Sequence, residues 1–168
     1  MTTPLDGLPV VFLDIDGVLN HHGVYDANAA RRGQTRPVDW LDPSRVALLN
    51  RLCERTGAVV VISSAWREYL GGWQAVQAVL VEAGFTGTVI GQTPDRVTRE
   101  GLLWLSGTRW DEIEYWLTWR PDVTRWVVLD DCEVGEACPR ERFVRTSINT
   151  GITAADVDRA TAILQETP

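Results

Sequence analysis

Apolar residues along the chain gather into short runs of two kinds. VVFLDI (10–15), AVVVIS (58–63), GTVIG (87–91), RWVVLD (125–130) and RFVRTS (142–147) are apolar at consecutive positions, so both faces of each segment ask for cover. Between them lie segments with helical spacing. DPSRVALLNRLCERTG (42–57) opens on an Asp cap with Pro in the first turn and closes on glycine. GWQAVQAVLVEAG (72–84), RWDEIEYWLTWR (109–120) and TAADVDRATAIL (153–164) follow. Strands buried on two faces and separated by helices predict an α/β fold, mainly a parallel sheet covered on both sides. Two stretches, 21–41 and 92–108, carry no clear period and read as irregular.

In such sheets ligands sit beyond the carboxyl ends of the strands. The first strand ends in Asp14, Asp16 and Gly17, the second in Ser63 and Ser64 with Arg67 just after, and the fourth in Asp130 and Asp131. Like charges this close repel and need a cation or a functional reason to stand together. An all-oxygen acidic cluster suits Mg²⁺ completed by water and a substrate phosphate. An EF-hand reading of D-x-D-G fails, because Tyr25 stands where the bidentate Glu is needed and a buried strand precedes the motif.

The chemistry that fits is phosphoryl transfer through an aspartyl-phosphate. Asp14 is the expected nucleophile, and Asp16 the acid that protonates the leaving oxygen and then deprotonates water. Gly17 allows the backbone to turn Asp16 over the site. Ser63 or Ser64, with exposed backbone N–H groups, cradles the phosphate. Asp14 and Asp16 as mere turn punctuation is a competing reading for one D-x-D-G. It weakens once a second acidic pair ends another strand.

Composition narrows the class. At 168 residues with 45% hydrophobic content, one soluble globular domain is expected. The apolar runs are too short to cross a bilayer, and MTTPLDGLP lacks a signal region, so a cytoplasmic location with no membrane partner is expected. Three cysteines without CxxC spacing read as reduced thiols, Cys132 among them inert. A net charge of −7 disfavours broad electrostatic binding to nucleic acid. All 16 basic residues are arginine, so any cation in the chemistry is an arginine. No GxxxxGK[ST] loop exists in a lysine-free chain, which removes a P-loop kinase.

LDIDGVLN (13–20), VVVISSAWR (59–67) and VVLDD (127–131) together resemble the first, second and fourth motifs of the haloacid dehalogenase (HAD) superfamily of phosphohydrolases. ISSAWR, R-x-x-E-I-x-x-W-L, LDD and the late TGIT are similar to small phosphatase-like domains of multifunctional RNA-repair proteins. The resemblance implies a three-layer α/β/α Rossmann-like fold without a large cap domain, and a Mg²⁺-dependent phosphoric monoester hydrolase. It makes the Asp14 side chain, the Asp16 carbonyl and Asp130 or Asp131 the metal ligands. It favours Ser63 over Ser64 for phosphate, and Arg109 as the third-motif cation with Arg96 and Arg99 as rivals. Arg67 is expected to hold the distal part of the substrate.

Without a cap, an open site suits a polymer end. A nucleic-acid (RNA or DNA) end is the first expectation for the phosphorylated substrate. A nucleotidase or other small-molecule phosphatase is the alternative, and a catalytically silent binding module a further one. His21 and His22 read as loop residues near the pocket, and Arg31, Arg32 and Arg36 as a solvated loop or a phosphate-backbone patch. Trp110, Ile113, Trp116 and Leu117 fall at core spacing, while Trp66 is kept as a stacking candidate.

Overall fold

The computed structural model describes residue 5 and residues 7–31, 33–94 and 107–166, together with the backbone of 98–99 and 102–103. Arg32 and Arg96, and the side chain of Arg99, lie outside the described residues. Five strands form one sheet: β1 (Val10–Leu13), β2 (Val59–Ile62), β3 (Val89–Gln92), β6 (Trp126–Asp130) and β7 (Phe143–Arg145). Their order is β3-β2-β1-β6-β7, and every pairing is parallel. β4 (Thr98–Arg99) and β5 (Leu102–Leu103) pair antiparallel as a separate two-stranded ribbon, inside the stretch expected to be irregular.

Helices cover both faces, because each strand presents apolar side chains to both. Val11 and Leu13 of β1 join Val60, Ile62, Val127 and Leu129 in one core, under α2 (Pro43–Thr56), α4 (Trp73–Glu82) and α6 (Ala154–Gln165). Val10 and Phe12 join Val59, Val61 and Val128 in a second core, under Trp110 and Ile113 of α5 (Arg109–Thr118). This is a compact three-layer α/β/α arrangement of the Rossmann-like kind. No inserted cap domain stands among the described residues.

Caps fix the helix starts. The Asp42 side chain accepts from Ser44 N at 2.8 Å, and Pro43 takes the first turn of α2. Thr108 with Asp111, and Thr153 with Asp156, form capping boxes that open α5 and α6.

Two short helices depart from the sequence expectation. α1 (His22–Ala29) lies in the stretch read as irregular, and α3 (Trp66–Leu70) follows β2 directly. HGVYDANA buries only Asn28, so it carries no apolar stripe to announce a helix. His21 caps it: the ring Nδ1 accepts from Gly23 N at 3.1 Å while Nε2 donates to Asp42 at 2.9 Å. That binding makes His21 a clasp between α1 and α2.

Candidate active site

Register builds the site. Leu13 pairs with both Ile62 and Leu129, so the next residues of three strands stand abreast. Ser63 N donates to Leu13 O at 2.8 Å, and Asp14 N to Leu129 O at 3.0 Å. Continuing the alternation from Phe12 and Val128, Asp14 and Asp130 both turn to the α5 side of the sheet. Both are buried, at 8% and 3% exposure.

Burial and proximity make this pair costly to ionise. Burial raises the Asp14 carboxyl to about 6, while Arg109 and a hydrogen bond with Ser64 pull it down. Burial raises Asp130 to about 7, and the Asp14 charge adds to it. The two carboxyls titrate as a unit.

Arginine answers this charge from α5. Arg109 Nε lies 3.7 Å from Asp130 Oδ2, and its NH1 lies 3.2 Å from Glu112 Oε2. The same Glu112 oxygen holds Arg67 NH2 at 2.9 Å. Arg67 is buried, and also donates to the carbonyls of Ser64 (2.7 Å) and Pro94 (3.3 Å). A chain of alternating charge thus runs Arg67–Glu112–Arg109–Asp130. Its far member is enclosed, which sets Arg67 in the scaffold of the β2–α3 turn.

The turn after β1 presents Asp16. Gly17 adopts φ 70°, its N–H donates to Asn20 Oδ1 at 2.8 Å, and its carbonyl accepts from Thr146 Oγ1 at 2.7 Å. The Asn20 amide nitrogen donates to Asp16 Oδ1 at 2.8 Å, so one buried side chain clamps the turn and its acid together. Tyr25 OH donates to the same oxygen at 2.8 Å, and Trp66 Nε1 lies 3.1 Å from both Asp16 oxygens. Trp66 is therefore a hydrogen-bond donor to Asp16 before it is anything else. The TGIT segment supports this turn from behind. Ile152 N donates to Val18 O at 2.8 Å, and a Cβ at Gly151 would stand 2.8 Å from that carbonyl.

The serine doublet divides. Ser64 is the one that helps hold the Asp14 carboxyl down, whereas the Ser63 hydroxyl is buried with no hydrogen-bond partner among the described residues. The acidic doublet divides too. Asp130 faces Asp14, and Asp131 is half-buried against Gly17, its carbonyl accepting from Arg145 Nε at 3.0 Å. Ligand atoms of Asp130, Asp131 and Cys132 lie within 4.8 Å of one another. The thiol is a poor donor for a hard cation, and Cys132 instead gives its N–H to Asp130 Oδ1 at 2.9 Å. The carboxylate oxygens of Asp14, Asp130 and Asp131 remain, a hard donor set whose crowding a divalent cation would relieve.

Asn20, Tyr25, Glu112 and Thr146 are absent from the sequence-based set. Tyr25 enters the sequence only as the residue that excludes an EF-hand, and Asn20 only as the last letter of the first motif. Each acquires its role from a partner that the fold brings near. Among the described residues no helix is long and apolar enough to cross a membrane.

The chain matches no curated protein and no solved structure. Residues 10–157 match the family model described as the HAD domain in Swiss Army Knife RNA repair proteins. That span begins at β1 and ends within α6, taking in every residue of the site described above. By this match the chain belongs to the family of HAD domains found in Swiss Army Knife RNA repair proteins.

Proposed function

We propose that the chain is a Mg²⁺-dependent phosphoric monoester hydrolase that works through an acyl phosphate of Asp14, on the phosphorylated end of a nucleic acid. The observation that carries the reading is the abreast pair Asp14 and Asp130 with Arg109 of α5 beside them, faced by Asp16 on its clamped turn. In the first half-reaction an Asp14 carboxylate oxygen bonds phosphorus and the bond from phosphorus to the ester oxygen breaks. Asp16 gives its proton to that leaving oxygen. In the second, Asp16 takes a proton from water, the water oxygen bonds phosphorus, and the phosphorus–Asp14 bond breaks to release phosphate.

The Asp14 and Asp130 side chains and the Asp16 carbonyl would hold Mg²⁺, with Asp131 beside them. Bound there, the ion supplies the positive charge that lets a carboxylate and a phosphate dianion approach. Arg109 neutralises charge that builds on the transferred group. Ser64, already against Asp14, takes the phosphate-facing hydroxyl role. Arg67 acts through Glu112 by fixing Arg109.

For the substrate, the family's occurrence in RNA repair proteins and the uncapped site favour a polymer end over a small metabolite. The test is phosphate release from 3′-phosphate, 5′-phosphate and 2′,3′-cyclic-phosphate oligonucleotides, free nucleotides and β-glycerophosphate, with Mg²⁺ and with EDTA. Mg²⁺-dependent release that Asp14→Asn abolishes is the expected result. Full turnover in EDTA sinks the mechanism, and a preference for free nucleotides sinks the substrate assignment.

A further inference from the structure

Beside Asp16 the surface opens into a groove of about 230 Å³, lined by Thr35, Pro37, Trp40, Trp66, Tyr69 and Leu70. Three of the six are aromatic, and they come from separate elements: the 3₁₀ turn Pro37–Trp40, and both ends of α3. Trp66 belongs to both places. Its N–H edge holds the Asp16 carboxylate, while its ring contributes to the groove wall. A group seated in the groove is thereby next to the acid that serves the leaving oxygen.

We propose that this groove takes the nucleobase of the terminal nucleoside, the one whose sugar oxygen leaves from phosphorus. This rests on the reading of Asp14 and Asp16 given above and adds what lies on the leaving-group side. Volume is the first support. Sites that enclose a whole drug-sized ligand occupy roughly 300–1,000 Å³, so this groove is scaled to a single ring system. Exposure is the second. Tyr69 is 81% exposed, a large aromatic ring held in solvent at the groove wall where a base can stack on it.

Polar groups are the third support. Trp40 Nε1 donates to Thr35 Oγ1 at 3.1 Å, which orients that hydroxyl and leaves its own proton for a base edge. Between lining residues Thr35 and Pro37 stands Arg36, its side chain 67% exposed and paired with Glu82 and, at 3.8 Å, with Asp39. A surface pair of this kind contributes little, so the guanidinium can turn to the next phosphate of a strand. An aromatic wall, one hydroxyl and one cation suit a nucleotide at the end of a polymer and stack any base, because every base has a π-face.

The experiment reads binding, so that it stands apart from turnover. Asp14→Asn protein with Mg²⁺ is titrated against two dye-labelled RNA pentamers with a 3′-phosphate, one with a full terminal nucleoside and one abasic at that position. The full pentamer should bind about tenfold tighter than the abasic one. Adding Tyr69→Ala should erase most of that difference, and Tyr69→Phe should keep it. Equal affinity of the two pentamers, or a difference that survives Tyr69→Ala, overturns the proposal. Because Tyr69 is exposed, loss of fold does not confuse the result. Failure of the phosphatase reading would appear separately, as absent Mg²⁺-dependent phosphate release by the unaltered chain from every substrate.

Discussion

The Asp131 carboxyl group rests against the Cα of Gly17: a Cβ built on that glycine would stand 2.3 Å from Asp131 Cγ. The glycine also holds φ 70°, where an L side chain is strained. Two motifs far apart in the chain thus touch through a missing methyl group. Gly17→Ala should displace Asp131, tilt the turn that carries Asp16 and destabilise the fold by about 1–2 kcal/mol. Thermal melts and phosphate release should both fall. A variant with unchanged activity would show that the turn has room to relax.

Acid should stabilise the metal-free protein across one window. Asp14 and Asp130 are raised by burial from 3.8 to about 6 and about 7, so between about pH 4 and pH 7 the native state binds more protons than the unfolded chain. Their contribution is complete below pH 4 and is lost as pH rises through 6 and 7. Asp122, held low by Arg120, acts oppositely but only below about pH 4. In EDTA, Tm should be higher at pH 5 than at pH 8, and Asp14→Asn should flatten the difference. Added Mg²⁺ should raise Tm more at pH 8 than at pH 5.

The two arginines that share Glu112 should separate on substitution. Arg109→Ala should lower kcat by about two orders of magnitude and should lower Tm more at pH 8, where Asp14 and Asp130 are charged, than at pH 5. Arg67→Ala removes the enclosed end of the chain of charges and should cost about 3 kcal/mol of stability. Arg67→Ala combined with Glu112→Ala should be less destabilised than expected from the two separately, since no unpaired carboxylate is left. A Tm for Arg67→Ala equal to that of the parent would return this residue to the substrate.

Donors to Asp16 should matter most when the leaving group is poor. Trp66→Phe deletes an N–H that lies 3.1 Å from both carboxylate oxygens, and Tyr25→Phe deletes a hydroxyl at 2.8 Å. Each should slow hydrolysis of an alkyl phosphate by about tenfold or more, through loss of a bond to a charged group. Hydrolysis of p-nitrophenyl phosphate should change less, because its leaving oxygen hardly needs a proton. Equal losses on the two substrates would detach these donors from the acid step.

The acidic doublet should prove unequal toward metal. Asp130 is buried beside Asp14, while Asp131 packs on Gly17. Asp130→Asn should raise the apparent Mg²⁺ constant strongly, and Asp131→Asn much less. The opposite order in a Mg²⁺ titration of activity would exchange their roles.

Much of this molecule could be read from the chain. The five strand runs and four longer helices follow from apolar runs and caps that act locally, and their ends differ from the expectation by a few residues. Asp14, Asp16, Ser63, Ser64, Asp130 and Asp131 could be singled out because polar residues at the end of a buried strand stand out against it, while Arg109, at the start of α5, could be singled out only through the resemblance. α1 was not, since HGVYDANA buries one asparagine and is held by His21 and Asp42 from outside. The place of Arg67 was not legible either. Only the approach of α5 to the β2–α3 turn provides Glu112, a contact made across 45 residues of chain. Ser63 and Ser64 stay alternatives in the sequence, because neighbouring residues differ only in the direction they face.

The two-sided burial of β1, β2 and β6 has a consequence for how the sheet finds its alignment. In VVVI, sliding by one residue exchanges valine for valine on both faces, so the apolar pattern barely penalises a slip. The penalty comes at the end. Sliding one way draws Ser63 or Asp130 into a core with no partner for it, and sliding the other way puts Ile62 or Leu129 where a carboxylate or hydroxyl should stand. The reactive row therefore doubles as the ruler against which three nearly interchangeable strands are measured.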